Sequence, residues 1–413
     1  MDLTLHDVRP VDGAPSDETL DIGIHDGRIV EMRPNLAPGE RSHRLDGRLV
    51  LAGFCESHIH LDKSCILERC ALRGGLKEAI GEVAGLKADF TVEDVAARAA
   101  RTLRKCVLEG TTRMRTHVEA DPTVGLRGYE GVKAAARDFA WAIDVEICIF
   151  PQEGLTDNPG TDELLVEALR DGAGAIGGAP YVDTDPHGQI DRVFALAREF
   201  DVDVDLHLDF GPDTSEMTID HVCRRTDEHG WGGRVAVGHV TRFAQMARPD
   251  FAALGRRLAD AGVAVTVLPA TDLFLMHREH EADWSVPRGV TPVHLMADAG
   301  VTCSLSTNNV LNPFTPFGDC SLIRMANLYA NIAQIGSREG METCLDMVSK
   351  RSARLMNLAD YGLSPGRPAD VVVLDATEPA LAVAELAQPM LGFKRGRPSF
   401  TRPLPELHAP VPT

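Results

Sequence analysis

The chain has 413 residues, of which 44% are hydrophobic and 25% are charged, and its formal net charge is −19 at pH 7. This length allows one large domain and a smaller one, each with a sizeable core, and the composition is that of a globular protein in solution. Binding to nucleic acid or an anionic membrane surface requires clustered Lys and Arg, so the acidity argues against both partners.

Three further features of the sequence bear on the cellular compartment of the protein. The first residues, 1–7, lack the basic and apolar regions of a signal peptide. No apolar run approaches the length of a membrane span. The nine cysteines are scattered without a C-x-x-C pair, which favours neither a disulfide framework nor a thiolate zinc site. These features predict a protein of the reducing cytoplasm.

The two ends of the chain share a β-rich pattern. Residues 1–55 alternate polar and apolar side chains, and Asp26-Gly27 between β-prone residues is typical of a hairpin turn. Residues 365–413 begin with a turn and a short apolar strand around 371–374. We expect these two segments to form one small β-sandwich beside a larger domain at 56–364.

The segment between them repeats a β-rich run followed by a helical pattern. The runs are nearly continuous in apolar residues, as strands covered on both faces should be. Eight such units predict an α/β fold, a (β/α)8 TIM barrel. The alternative, an open doubly wound sheet, lacks a Gly-x-Gly-x-x-Gly fingerprint after its first strand. The eight runs are 49–60, 111–118, 145–150, 172–179, 202–208, 234–240, 263–268 and 301–306.

The first of these runs ends in a His-x-His pair, His58 and His60. Residues i and i+2 of a strand point to the same face, so both imidazoles enter one space. Such a pair suits a metal centre, although two hydrogen-bonded histidines would give the same pattern.

Polar residues follow other predicted strands as well. In a barrel, catalytic residues cluster at the carboxyl ends of the strands, so these side chains should converge. They are His117 on the second strand, Gln152 after the third, His207 and Asp209 on the fifth, His239 on the sixth, and Asn308 and Asn309 after the eighth.

These motifs resemble the amidohydrolase superfamily, and within it the cytosine deaminase branch. The matching stretches are HIHLDK, RTHV, FPQEG, the GH of the sixth strand, NPFTPFG and SARLMNLADYG. The chain is also similar to the N-isopropylammelide isopropylaminohydrolases of triazine breakdown, in the HxDKS run and the PFG segment.

The resemblance implies one divalent metal ion, zinc, iron or manganese, held by His58, His60 and His207. It implies that water activated by this metal attacks an sp² carbon that bears nitrogen. His239 would polarise the reacting group, and Gln152 would hold a small-molecule substrate by its amide. The family is commonly oligomeric, which allows a homo-oligomer here.

Two positions depart from the family pattern. Asn308 stands where the family has an aspartate that both binds metal and moves protons, and Phe210 stands where cytosine deaminases have a glutamate. An amide cannot carry protons at working pH, so the remaining candidates are His239, Lys63 and Asp209. Phe210 predicts an apolar wall and hence a substituted or bulkier substrate, which Asn309 would also contact.

Two functions therefore stay open at this point. The first is a metal-dependent hydrolase that releases ammonia or an amine from a nitrogen heterocycle or a related amide-like compound. The second is a barrel that binds a small molecule or performs a non-hydrolytic step, which the loss of the Asp and the Glu would favour.

Overall fold

Two β-sheets organise the computed structural model, which describes residues 1–11, 19–71, 74–278 and 286–408. One sheet has seven strands from both ends of the chain, and the other has eight parallel strands from its middle. The predicted class, a (β/α)8 barrel with a small β-structure built jointly by the termini, is confirmed. The terminal β-structure forms as a single sheet.

The terminal sheet has the order β15-β14-β13-β4-β1-β2-β3. Strand β1 pairs in parallel with β4, and β13 pairs antiparallel with β4, so the two ends of the chain meet at β4. The predicted hairpin turn joins β2 to β3, and both turn residues, Asp26 (φ 49°) and Gly27 (φ 71°), have the left-handed conformation that such turns require. The strands are β1 Leu3–Pro10, β2 Leu20–His25, β3 Arg28–Arg33, β4 Arg41–Leu51, β13 Val371–Leu374, β14 Pro389–Lys394 and β15 Arg397–Thr401.

The eight parallel strands follow one another around the barrel in chain order. The last strand returns to the first: the amide of Asn308 donates to His58 O and the amide of His60 donates to Asn308 O, both at 2.9 Å. This closure rules out the open sheet, and it places Asn308 between the two histidines of the first strand. The strands are β5 Phe54–Ile59, β6 Thr111–Glu119, β7 Asp144–Phe150, β8 Ala175–Gly178, β9 Asp203–Leu208, β10 Val235–His239, β11 Val263–Val267 and β12 Cys303–Leu305.

The helices cover the outside of the barrel with their apolar sides. In the helix over Val92–Leu108, for example, Val95, Ala99 and Leu103 are fully buried, while Thr91 caps its first turn by accepting the amide of Asp94 at 3.1 Å. The α-helices of the described residues are α1 Leu76–Leu86, α2 Val92–Leu108, α3 Arg127–Phe139, α4 Thr161–Arg170, α5 Pro186–Phe200, α6 Ile219–His229, α7 Arg248–Ala261, α8 Pro269–Leu275, α9 Val293–Asp298, α10 Leu322–Ile332, α11 Arg338–Asp346, α12 Lys350–Leu355 and α13 Pro379–Ala384.

A buried ion cluster joins the terminal sheet to the amino-terminal end of the barrel strands. Lys394 on β14 donates to Asp144 and Asp370 at 2.8 Å each, and to the carbonyl of Thr112 at 3.1 Å. Arg113 on β6 contacts Asp144 as well and lies 3.1 Å from Asp370. Residues of both sheets therefore share the same counter-charges.

Among the described helices, none has both the length and the apolar character needed to cross a membrane.

Candidate metal centre and active site

Three histidine side chains converge at the carboxyl end of the barrel strands. The Nε2 atoms of His58 and His60, on or just after β5, each lie 3.1 Å from Nε2 of His207 on β9. All three side chains are buried. Two nitrogens bound to one metal at about 2.0–2.1 Å with tetrahedral angles lie a little more than 3 Å apart, so this spacing fits a shared ion.

Hydrogen-bond chemistry supports the same conclusion. The Nδ1 atom of His60 lies 3.1 Å from the carbonyl oxygen of His117, which can only accept a hydrogen bond. Nδ1 therefore carries the proton, and Nε2 of His60 presents a lone pair toward His207. Burial lowers the pKa of His58, His60 and His207 well below the ordinary value, and their electrostatic interactions with neighbouring histidines and Lys63 lower it further. A lowered pKa favours the neutral imidazole, which is the form that binds a metal ion.

Asn308 lies beside the histidine cluster, bonded through its backbone to His58 and His60. Its side chain is fully buried, and its Oδ1 atom has no hydrogen-bond partner among the described residues. Its Nδ2 atom lies 3.5 Å from Nε2 of His239. A buried orphan oxygen is costly unless it meets a cation or water, so the donor set of three imidazoles and one amide oxygen fits a divalent metal.

Packing fixes the orientation of the metal-facing rings. His117 stacks on His58 with ring centroids 3.8 Å apart, and Phe150 stacks on His207 at 4.6 Å. Nε2 of His117 lies 3.3 Å from the carboxylate of Asp205, a buried residue of β9. His117 therefore supports the cluster by stacking, and one of its nitrogens lies within 4.8 Å of a nitrogen of His58 and of His207.

His239 lies next to this cluster and is held by a carboxylate. Its Nδ1 atom is 2.6 Å from Oδ1 of Asp272 on α8, and both side chains are buried. Burial raises the pKa of Asp272 above its usual value, although His239 opposes the shift. The bond to Asp272 leaves Nε2 of His239 facing Asn308 and the centre of the site.

The backbone at two of these strand ends has a positive φ angle. His239 (φ 71°) and Asn308 (φ 64°) both adopt the left-handed region, which is uncommon for residues other than glycine. Before His239, a Cβ atom on Gly238 would approach the ring of His58 to 3.2 Å, a tight contact that favours glycine at this position.

The predicted substrate-side residues occupy different surroundings. Gln152 is buried, and its Oε1 atom accepts from Nζ of Lys63 at 3.2 Å. The ring of Phe210 meets that of His239 edge-on at 5.4 Å and lines a cavity of about 650 Å³ together with Tyr181. Phe210 therefore presents an aromatic ring beside His239.

Two further predicted residues have their polar groups occupied elsewhere. Both carboxylate oxygens of Asp209 accept hydrogen bonds from the start of α6, with the amide of Thr218 at 2.8 Å and that of Ile219 at 3.2 Å. Asn309 accepts from Asn312 at 2.6 Å and lines a second cavity, of about 850 Å³. The His cluster does not line that cavity.

A second group of acidic side chains, Glu119, Asp121 and Glu153, lies beside the site. The ammonium of Lys87 already occupies its centre, 2.8 Å from Glu119 and 2.6 Å from Asp121, and also contacts Glu153. Burial raises the pKa of Glu153 to about 8. This group is therefore a buried ion cluster with its own cation.

Sequence reasoning missed three residues that matter to this geometry: Asp272, Glu119 and Asp205. Asp272 follows the seventh strand, so its position could have identified it in the same way as the other polar residues at strand ends. Glu119 is the last residue of β6, directly after the RTHV motif. Asp205 precedes His207 by two positions, so strand periodicity points both side chains to one face.

Comparison with known proteins agrees with this geometry. Residues 71–398 match the family model described as the amidohydrolase family. The chain is 26% identical to N-isopropylammelide isopropyl amidohydrolase of Pseudomonas sp. (strain ADP), over 92% of this chain and 93% of that protein. It is 28% identical to pterin deaminase of Rhizobium rhizogenes, over 88% and 84% of the two chains.

Two solved structures are similar over nearly their whole length. The 5-methylcytosine deaminase of Klebsiella pneumoniae liganded with 5-fluorocytosine superposes with a TM-score of 0.92 at 26% identity, covering 98% of this chain and 99% of that one. The N-isopropylammelide isopropylaminohydrolase of Burkholderia multivorans gives 0.84 at 30% identity, covering 96% and 97%.

These relatives are deaminases and amidohydrolases, so they support the hydrolase over the binding barrel that the sequence had left open. The chain belongs to the amidohydrolase family of metal-dependent enzymes, and it is a hydrolase of carbon–nitrogen bonds other than peptide bonds.

Proposed function

We propose that this chain releases ammonia or an amine from a substituted nitrogen heterocycle, with one divalent ion held by His58, His60 and His207 and by the amide oxygen of Asn308. The single observation that carries the proposal is the convergence of the Nε2 atoms of His58, His60 and His207, with the His60 Nε2 lone pair directed there by the bond from its Nδ1–H to the His117 carbonyl. Zinc, iron and manganese all suit this donor set. When bound, the ion supplies Lewis acidity toward an oxygen atom in the site.

The proton transfers fall to this chain's own residues, because Asn308 cannot carry a proton. We assign them first to His239, whose Nδ1 atom is fixed by Asp272 and whose Nε2 atom faces the site. Lys63, buried beside Gln152, is the second candidate. Asp209 acts instead as the cap of α6, since both of its oxygens are engaged there.

The substrate class follows from the walls of the site. Phe210 replaces a charged residue of cytosine deaminases, so a basic ring nitrogen finds no acid there. The cavity beside Phe210 is lined by apolar side chains such as Ile80 and Leu275, together with Lys77, Glu78 and His277. We therefore expect a ring that carries an apolar substituent. The substrates named for the relatives (5-methylcytosine, pterin and N-isopropylammelide) are the first to test.

The expected cytoplasmic location is supported by the cysteines, since all nine are free in the structure. A homo-oligomer stays a prediction.

The experiment is a metal analysis followed by a product assay. We expect about one zinc, iron or manganese ion per chain by elemental mass spectrometry, and ammonia or amine release that is lost after chelation and restored by metal. His207→Ala should lose the ion, whereas His25→Ala, a change at an exposed histidine, should keep it. Full metal content in His207→Ala, or no release from any heterocycle by the metal-loaded protein, would contradict the proposal.

A further inference from the structure

The cavity of about 850 Å³ lies between α8 and α10, outside the histidine cluster. Thr307 and Asn309, each 3% exposed, form its inner end, and Phe317, which is 65% exposed, forms its outer end. No histidine is among the described residues that line it. The cavity is therefore separate from the space in which the imidazoles converge.

Apolar side chains of both helices form the walls of this cavity. Leu273 and Phe274 of α8 and Leu328 of α10 line it. The rings of Phe274 and Phe317 meet edge-on with their centroids 5.8 Å apart. A cavity of this volume with apolar walls is typical of a site for a small organic molecule, and Phe317 leaves a large apolar side chain exposed at its entrance.

The charged groups of the cavity are mostly cationic. They are Arg278, Arg288, Arg324 and Asp319. Asp319 accepts from Nε of Arg324 at 2.8 Å, and the guanidinium of Arg278 lies 4.1 Å from the ring centre of Phe274. Three guanidinium groups thus line the cavity with one carboxylate, although the whole chain carries a net charge of −19. This local excess of positive charge favours an anion.

Two polar side chains of the cavity lack the partners that their burial calls for. Arg288 is half-buried, and its one acceptor among the described residues is the carbonyl oxygen of Met276, 2.9 Å from Nη1. The buried hydroxyl of Thr307 has no hydrogen-bond partner among the described residues. Buried cations are normally paired with an anion, and buried hydroxyls are normally hydrogen-bonded. Both groups therefore point to a bound molecule with an anionic end.

We propose that this cavity is a second ligand site, which takes a small monocarboxylate with an apolar body. The carboxylate pairs with the guanidinium groups of Arg278 and Arg288, because a guanidinium can bind both oxygens of a carboxylate at once. The apolar body lies against Phe274 and Phe317. The site goes beyond the proposed reaction and does not depend on it.

A pair of probes tests the need for the charge. We choose 4-phenylbutyrate and 4-phenylbutan-1-ol, which share one carbon skeleton and differ in a carboxylate or a hydroxyl at its end. Titration calorimetry at pH 7.5 should show at least about tenfold tighter binding of the acid, because only the acid can pair with the guanidinium groups. The same titration after treatment with a chelator should give the same affinity, since the cavity is separate from the metal centre.

Variants of the cavity separate its charge from its apolar walls. Arg288→Met should weaken binding of the acid at least about tenfold and change that of the alcohol by about twofold or less. Phe317→Ser should weaken both probes by a similar factor, about threefold or more. Arg397→Met is the matched control, since it removes an exposed arginine from a different cavity, of about 520 Å³, and should change neither affinity.

A second variant covers the case in which Arg288→Met fails to fold. The side chain of Arg324 is 51% exposed, so Arg324→Gln should be tolerated. It removes one cation and leaves the carboxylate of Asp319 unpaired in the cavity. Binding of the acid should therefore fall at least about threefold while that of the alcohol stays the same.

Several results would overturn this second site. They are the absence of binding of the acid, equal affinities for the acid and the alcohol, and an unchanged preference in the folded arginine variants. Loss of acid binding after chelation would place the carboxylate on the metal centre and also overturn it. None of these measurements uses turnover, so failure of the second site and failure of the proposed reaction are seen separately.

Discussion

Asn308 shows how one atom would change the electrostatics of the proposed metal site. The closing hydrogen bonds of the barrel place it between His58 and His60, so its position is fixed by the backbone. Its amide oxygen donates a lone pair but no charge. Three neutral imidazoles and a neutral amide leave the full charge of a dication to be balanced by the rest of the site and its ligand.

Restoring a carboxylate at this position should therefore strengthen metal binding. We expect Asn308→Asp to bind zinc at least about tenfold more tightly, or about 1.4 kcal/mol, measured by competition with a chromophoric chelator. Asn309→Asp is the matched control, because that side chain is bonded to Asn312 instead. Equal gains from both changes would mean that Asn308 does not face the ion.

Asp272 is expected to act through His239. Asp272→Asn replaces the carboxylate that holds Nδ1–H with a neutral amide whose NH2 group can instead donate to Nδ1, so the ring can turn or change tautomer, and kcat should fall about a hundredfold or more. The pH profile of kcat/KM should shift as well, which a purely structural residue would not cause. The exposed Asp213→Asn serves as control. A normal kcat and pH profile in Asp272→Asn would show that His239 needs no such partner.

At the scale of elements, strand periodicity made the convergence of the histidines predictable. His58 and His60 share a face because they are two residues apart on one strand, and strand ends of a barrel converge by topology. Lys87 was not predictable in this way. It lies in a short helical turn after α1, and only the folded chain brings it to Glu119 and Asp121. Local pattern gives the direction of a side chain but not its distant partner.

Asp209 also shows that a local pattern does not identify the partner of a side chain. Its place after the fifth strand favoured a catalytic role, yet its φ of 47° turns the carboxylate to the start of α6. Such a carboxylate satisfies helix amides that otherwise lack partners. The element that follows a strand thus decides whether a polar strand-end residue serves chemistry or structure.

This assignment predicts a stability effect rather than a catalytic one. Asp209→Ala should lower the free energy of unfolding by about 2 kcal/mol, since it removes bonds to Thr218 and Ile219 and disfavours the left-handed backbone. Asp209→Asn should cost less, because it tolerates that conformation and keeps one acceptor. Denaturant titration gives both values. A hundredfold loss of turnover in a stable Asp209→Asn protein would instead identify Asp209 as a proton carrier.

At the scale of the whole molecule, the terminal sheet and the barrel meet through charge as well as apolar contact. Asp370 and Asp144 are shared by Lys394 of the terminal sheet and Arg113 of the barrel, and the two cationic side chains are 2% and 9% exposed. Removing one partner from a buried ion pair costs far more than the pair itself contributes, because the remaining charge stays buried. The seam should therefore be sensitive to loss of a single carboxylate.

We expect Asp370→Asn to lower the free energy of unfolding by about 3 kcal/mol, less than the loss of an isolated buried partner because Asp144 still faces both cations. Asp319→Asn breaks the half-exposed pair with Arg324 and should cost at most about 1 kcal/mol. The seam lies at the amino-terminal end of the strands and the histidines at the carboxyl end. Metal content of folded Asp370→Asn should thus equal that of the wild type. Loss of the ion together with stability would show that the terminal sheet supports the metal centre across the length of the barrel.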